Sequence, residues 1–165
     1  MTDSMIQGKI YQNPRYLVPK IEKHRKNGEK IVFGNGCFDI LHVGHTRYLN
    51  AAKALGSVLI VAVNTDESMR RIKNNREPVT PFNERLEIIA AIGAVDYVVP
   101  LEEDNPISLI KLFRPEIHTK GRDYEYEKKE IPERDTVEGY GGHVRTVGWA
   151  EDHSTTEILR YIKNR

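Results

Sequence analysis

The stretch SVLIVAVNTD (57–66) carries an unbroken apolar run from Val58 to Val63, and KIVFGNGCF (30–38) opens on another. Neither alternates. A strand with one wet face shows a polar residue at every second position. Unbroken runs of this length therefore mark strands buried on both faces, as in a parallel sheet covered by helices. Between the two runs, GHTRYLNAAKALG (44–56) sets Tyr48, Leu49, Ala52 and Leu55 at helical spacing and stops at Gly56. That is one βαβ unit. Further along, TPFNERLEIIAAIG (80–93) reads as a helix with Thr80 as cap and Pro81 at its first position. VDYVVPL (95–101) reads as a strand, and NPISLIKLF (105–113) repeats the cap-then-proline start of a helix. PEIHTKG (115–121) and GHVRTVGW (142–149) read as two more strands, and STTEILRYIKNR (154–165) as a last helix with Leu159 and Ile162 facing inward. The expectation is an α/β, Rossmann-like, doubly wound parallel sheet of five strands with helices on both faces. In such sheets ligands gather beyond the carboxyl ends of the strands.

The remaining sequence bounds this reading. Residues 1–15 are polar and read as an arm, and RYLVPKIEKHRKNGEK (15–30) as a short surface helix, which sets residues 1–29 apart from a main domain over 30–165. A chain of 165 residues suits one domain with a sizeable core. Its 25 basic and 24 acidic residues balance to +1, which argues against a nucleic-acid partner but leaves room for a local basic pocket. Cys37 is the single cysteine, so no intrachain disulfide and no cysteine metal cluster can form. No run suits a signal peptide or a membrane span, and the expectation is a soluble cytoplasmic domain without a membrane partner. The charged stretch RDYEYEKKEIPERD (122–135) reads as solvated surface running into a helix.

Chemistry concentrates in NGCFDILHVGH (35–45), directly behind the first strand. Gly36 permits a tight turn and close approach of a ligand to the main chain. The helix beginning near His42 or Val43 offers free amides and a positive dipole end, an anion site. His42 and His45, at i and i+3, project from one side of its first turn, with Gly44 between them leaving room for a phosphate chain. Imidazole N–H groups there can hold phosphate oxygens and stabilise charge that builds at a five-coordinate phosphorus. Spacing alone leaves two other readings open. The pair can be structural, bonded to backbone carbonyls, or can ligate a metal with Asp39 as the nearest third ligand.

GNGCFDILHVGH resembles the signature of the cytidylyltransferase-like nucleotidyltransferases, which carry an HxGH motif after their first strand. STTEIL (154–159) is similar to the family's second signature, a serine/threonine cluster opening the last helix. NTDES (64–68), NERLEII (83–89), AVDYVVP (94–100) and KGRDY (120–124) fall in the family's order. Cysteine in NGCFD, the KGRDY segment and the approach GWAEDHSTT bring the chain nearest to the adenylyltransferases of bacterial ADP-heptose synthesis. The resemblance implies transfer of AMP from ATP to D-glycero-D-manno-heptose 1-phosphate with release of pyrophosphate. Mg²⁺ would be held through phosphates rather than side chains. It also implies a separate sugar kinase supplying the acceptor, and a homodimer is a further expectation. The alternatives are a CTP-dependent cytidylyltransferase acting on a polyol or amino-alcohol phosphate, and a module that binds ATP without turnover.

By the same resemblance Asn35, Gly36, Cys37, Phe38, His42, Gly44 and His45 line the nucleotide, with His42 and His45 catalytic. Ser154 and Glu157 form a capping box, while Thr155 and Thr156 remain to take the outer phosphates. Lys53, two turns beyond His45, either reaches a phosphate or lies along the surface. Arg85 sits in a helix's first turn, where a cation is disfavoured unless an anion partners it, and the resemblance assigns it a phosphate-side role. Lys120, Gly121 and Asp123, ending the fourth strand, suit nucleotide contacts. Asp39 either orients the turn or meets the acceptor phosphate; Asp66 either binds a sugar hydroxyl or caps a helix. His118 reads as a core histidine, and Trp149 and His153 lie near the last helix without a firm role.

Overall fold

The structure is a computed structural model that describes residues 4–122, 124, 130–148 and 155–164. Five strands form the sheet: β1 (Ile31–Gly36), β2 (Val58–Asn64), β3 (Tyr97–Leu101), β4 (Ile117–Gly121) and β5 (His143–Val147). All are parallel, in the order β3-β2-β1-β4-β5. Every residue of β2 is buried, the consequence of an apolar run lodged between two helical layers.

Two cores follow from the two-residue period of the strands. On one face Val32, Leu59 and Val61 pack with Leu49 and Ala52 of α3 (Val43–Lys53) and Leu86 and Ile89 of α5 (Phe82–Ala91). On the other, Phe33 and Ile60 pack with Ile21 of α2 (Val18–Lys26), Ile110 and Phe113 of α6 (Ile107–Phe113), and Val137 of α7 (Arg134–Gly139). The connection β1–α3–β2 covers the first face, whereas the chain returns from β3 to β4 through α6 on the second. The strand order therefore reverses between β1 and β4, opening a crevice at their carboxyl ends.

The remaining helices are α1 (Ser4–Gln7), α4 (Asp66–Ile72) and α8 (Thr155–Lys163). The N-terminal segment is more deeply engaged than its polarity suggests. Leu17 and Ile21 are buried in the second core, and Tyr11 and Lys9 exchange backbone hydrogen bonds with Val98 along the outer edge of β3. A charged helix needs only one buried stripe to dock, and an exposed strand edge gains from being covered. Two expected caps differ. Thr80 gives α5 no side-chain cap, its carbonyl instead accepting from Arg85 Nε; Thr65, not Asp66, caps α4, accepting the Ser68 amide. In α8, Leu159 is half-buried but Ile162 is 61% exposed, so the inward face is shorter than the periodicity suggests.

Candidate active site

The chain leaves β1 through a turn that is strained and heavily tied down. Phe38 has φ 49°, a left-handed conformation that costs a non-glycine residue on the order of 1 kcal/mol or more. Its ring folds back over Gly36, where an added Cβ would lie 3.0 Å from it, and packs against His45 with ring centroids 5.2 Å apart. Glycine at 36 is thus a packing requirement of Phe38. Because Phe38 is buried, it supports His45 from behind rather than lining a ligand surface. Asp39, also buried, accepts from the amides of Val79 (2.7 Å) and Thr80 (3.0 Å) and from Arg76 (3.1 Å). Its carboxylate orients the turn. Burial pushes the Cys37 thiol up from its ordinary pKa, which removes it as a nucleophile.

His42 is the N-cap of α3, a position usually held by Ser, Thr, Asp or Asn. Its Nδ1 accepts the Gly44 amide at 3.1 Å, while the His42 amide donates to Nδ1 of His45 at 3.4 Å, a reciprocal cap built from two imidazoles. The rings lie with centroids 3.9 Å apart and 32° between planes. Each Nδ1 being an acceptor, each neutral ring carries its proton on Nε2. The backbone of one helical turn has fixed both tautomers and set two N–H donors beside a positive helix end. The structural reading of the pair is thereby half right: both rings are tied to the backbone, but through amides and not carbonyls. Among the described residues no group of three or more His, Cys, Asp or Glu is arranged to hold a metal.

The start of α8 meets this turn. Thr155 Oγ1 donates to the Ile40 carbonyl at 3.4 Å, two residues before His42. Gly148 steers the chain there. Its φ is 73°, and a Cβ on it would lie 2.7 Å from Tyr48 Cα, so only glycine lets the segment leaving β5 cross α3 so closely. Thr156 is exposed in the first turn of α8. Ser154, Asp123, Trp149 and His153 lie outside the described residues.

Other expected site residues are placed elsewhere. Lys53 sits at the far end of α3 and bonds to Ser57 O and Asp96 Oδ2, both at 2.5 Å; Asp96 also accepts the Leu59 amide near the start of β2. The helix axis carries Lys53 away from the histidines by about 12 Å at 1.5 Å per residue, so sharing their face does not bring it to their end. Arg85 is 1% exposed, so it is not a surface ion pair. Its guanidinium donates to the carbonyls of Thr80, Cys37 and Asn64 and to Asp66, tying the ends of β1 and β2 to the turn. The anion implied by its unfavourable place in the helix is Asp66, which also accepts the Phe82 amide and so is held in the scaffold. His118 is fully buried, donating from Nδ1 to the Phe33 carbonyl.

On the α6 side of the sheet, opposite α3, a cleft of about 450 Å³ opens over the ends of β1, β2 and β4, lined by Asn35, Asn64, Lys120 and Glu133 among others. Asn35 shares the strand side of Phe33, which explains why it and Lys120 face this cleft and not the histidines. Glu133, in a stretch that reads as solvated surface, is 2% exposed and paired with Lys120 at 2.9 Å. Lys120, 13 residues back in β4, explains its burial, a partner that local charge pattern does not reveal. Arg76, the partner of Asp39, is likewise invisible to local reading.

Burial holds two histidines neutral in the fold. His45 is pushed down to about 4 by desolvation and then by the neighbouring His42; His118 is pushed down to about 3 by desolvation and then by Lys120. Both lie below the 6.5 of an unfolded histidine, so between these limits the unfolded chain binds protons that the fold refuses. Stability is therefore complete above pH 6.5 and falls as the pH drops through 6.5 toward 4. Urea midpoints measured from pH 8 to 4 should show this decline, and His118→Gln should flatten it.

Three comparisons bear on this site. A family model described as Cytidylyltransferase-like matches residues 33–161. The chain is 46% identical over 149 residues to the Bifunctional protein HldE of Ectopseudomonas mendocina (strain ymp), covering 90% of this chain and 31% of that one. It is 48% identical over 147 residues to the Bifunctional protein HldE of Vibrio cholerae serotype O1 (strain ATCC 39541 / Classical Ogawa 395 / O395), covering 89% and 30%. The chain thus spans about 30% of the length of the curated relatives it matches. Among solved structures, the lipopolysaccharide core biosynthesis protein from Thermoplasma volcanium GSS1 superposes with a TM-score of 0.61 at 30% identity, over 74% of this chain and 100% of that one.

Proposed function

Because the chain belongs to the cytidylyltransferase-like family, we propose that it is a nucleotidyltransferase that moves AMP from ATP onto a sugar 1-phosphate, D-glycero-D-manno-heptose 1-phosphate. The observation that carries this reading is the reciprocal cap of His42 and His45, which sets two imidazoles, their Nδ1 atoms engaged by amides, at the start of α3 with the start of α8 at hand. Similarity to bifunctional HldE proteins and to a lipopolysaccharide core biosynthesis protein supports a sugar acceptor.

In the proposed reaction an oxygen of the sugar phosphate attacks the α-phosphorus of ATP. The new O–P bond forms as the bond to the β-phosphate breaks, and pyrophosphate carries away the electron pair. A phosphate dianion is already a nucleophile, so no general base is required. The two helix starts and the imidazole N–H groups receive the triphosphate on the α3 side, and the acceptor enters from the cleft on the α6 side. Opposite approaches suit in-line displacement. Asp39 and Asp66 are engaged by Arg76, Arg85 and backbone amides, so Mg²⁺ would be held by phosphate oxygens and water, where it neutralises charge. No described helix is long and apolar enough to cross a membrane; a reaction using ATP and a sugar phosphate belongs in the cytoplasm. A kinase must supply the acceptor, and a homodimer is the assembly we favour.

Pyrophosphate release measured with ATP and CTP against sugar 1-phosphates, glycerol 3-phosphate and choline phosphate tests the proposal. ATP with heptose 1-phosphate should give the highest kcat/KM. Preference for CTP with glycerol 3-phosphate would make the protein a cytidylyltransferase. Saturable ATP binding with no release under any acceptor would make it a sensor.

A further inference from the structure

The cleft on the α6 side contains an acceptor group that the fold leaves unused. Glu133 Oε1 accepts from Lys120 Nζ at 2.9 Å, and Lys120 also donates to Asn35 Oδ1 at 3.2 Å. Glu133 Oε2 is buried and has no hydrogen-bond partner among the described residues. A desolvated carboxylate oxygen without a donor is destabilising, which marks it as an acceptor that a bound donor would satisfy.

The surrounding groups define what would satisfy it. The side-chain oxygens of Asn35 and Asn105 are taken, by Lys120 and by the Ile107 amide at 3.1 Å, which leaves their NH₂ groups as donors. Two charges of the wall are paired, Lys120 with Glu133 and Asp104 with Arg71 at 2.6 Å, while the exposed Glu130 leaves the lining net negative. A second phosphate finds no counter-charge there. Hydroxyl groups, which donate and accept at once, match donors set beside a bare acceptor. The volume, about 450 Å³, is within the range of small-molecule sites, roughly 300–1,000 Å³.

We infer that Glu133, held in register by Lys120, reads the hydroxyl groups of the acceptor and is a specificity-determining residue for a neutral polyol, the sugar moiety of a sugar 1-phosphate. The inference rests on the transferase reading above and deepens it. A hydroxyl would donate to Oε2, replacing the missing partner, and an acceptor lacking that hydroxyl would leave the oxygen bare. Sites built to bond a hydroxyl reject analogues without it far more strongly than apolar pockets reject a misfit.

The test is steady-state kinetics of the full chain and of Glu133→Gln with ATP and heptose 1-phosphate, its monodeoxy analogues, and choline phosphate. Gln keeps the shape, but its oxygen must face Lys120, so it presents an NH₂ where Oε2 stood. The variant should raise the KM for heptose 1-phosphate by about 10-fold or more, a charge-assisted bond's worth, with ATP KM within about two-fold. It should also shrink the preference over one deoxy analogue by a similar factor. Unchanged acceptor KM and unchanged preference in the variant, with a wild type that uses heptose 1-phosphate, would overturn the inference alone. Parallel rises in both KM values would overturn it too, as the mark of a merely structural pair. Wild-type turnover of choline phosphate, or of no sugar phosphate, would instead remove the sugar 1-phosphate reading above and the inference together. Should Glu133→Gln fail to fold, Lys120→Met with Glu133→Met removes the buried pair as a unit, which is often tolerated, and the same losses are expected of it.

Discussion

Alanine at His42 or at His45 is expected to lower kcat by about 10²–10³-fold while the KM for ATP changes little, because a donor aimed at developing charge matters most in the transition state. The geometry explains why the two effects separate. Each Nδ1 is engaged by an amide of the α3 cap, so the proton is fixed on Nε2 before any ligand arrives and no reorganisation accompanies the reaction. Both rings do a second job, and either alanine variant should also lose on the order of 1 kcal/mol of stability from the broken cap. His42→Asn separates the jobs: asparagine is a good N-cap and should restore the unfolding midpoint, yet it should leave turnover low. Pre-steady-state kinetics with ATP titrations reads kcat and affinity apart. Equal losses in the two would reduce the imidazoles to ground-state contacts.

What the sequence made legible, and what it hid, divides along the range of the interactions. The strands were legible because burial on both faces writes itself into consecutive residues such as Val58–Val63. The histidine turn was legible because cap, glycine and imidazoles lie within a single helical turn. Partners far along the chain were not legible. Lys53 shares a helical face with His45 but reaches Asp96, a residue 43 positions on, at the opposite end of the sheet. Arg85 looked like a phosphate ligand because its helix position calls for an anion; the anion is Asp66, 19 positions back. Glu133 looked like surface because its neighbours are charged, and only the folded chain brings Lys120 beneath it. Asn35 and Lys120 sit at strand ends as expected, but the two-residue period of a strand decides which face they serve, and they face away from the histidines.

Arg85→Ala should lower the free energy of unfolding by roughly 3–5 kcal/mol, since it strands three carbonyls and a carboxylate that one guanidinium now satisfies. Set against the 5–15 kcal/mol typical of a whole domain, a loss of that size is visible as a large fall in urea midpoint. Asp66 is partly exposed and can turn to water, so the greater part of the cost falls on the carbonyls of Cys37 and Asn64. The same carbonyls explain a catalytic consequence without any contact to phosphate. Cys37 precedes Phe38, the left-handed residue whose ring backs His45, so freeing the Cys37 carbonyl loosens the support of the imidazole that we propose to be catalytic. Arg85→Met combined with Asp66→Asn tells the two effects apart. Removing both charges should recover only the smaller part of the stability, because the carbonyls of Cys37 and Asn64 still lack a donor, and kcat should stay depressed because the turn still lacks its anchor. If that double variant regained turnover along with stability, Arg85 would be a stabilising ion pair and nothing more. If either variant instead raised the KM for ATP in proportion to its loss of kcat, the guanidinium would have to reach the nucleotide after all. That outcome would require the four bonds it now donates inside the core to rearrange.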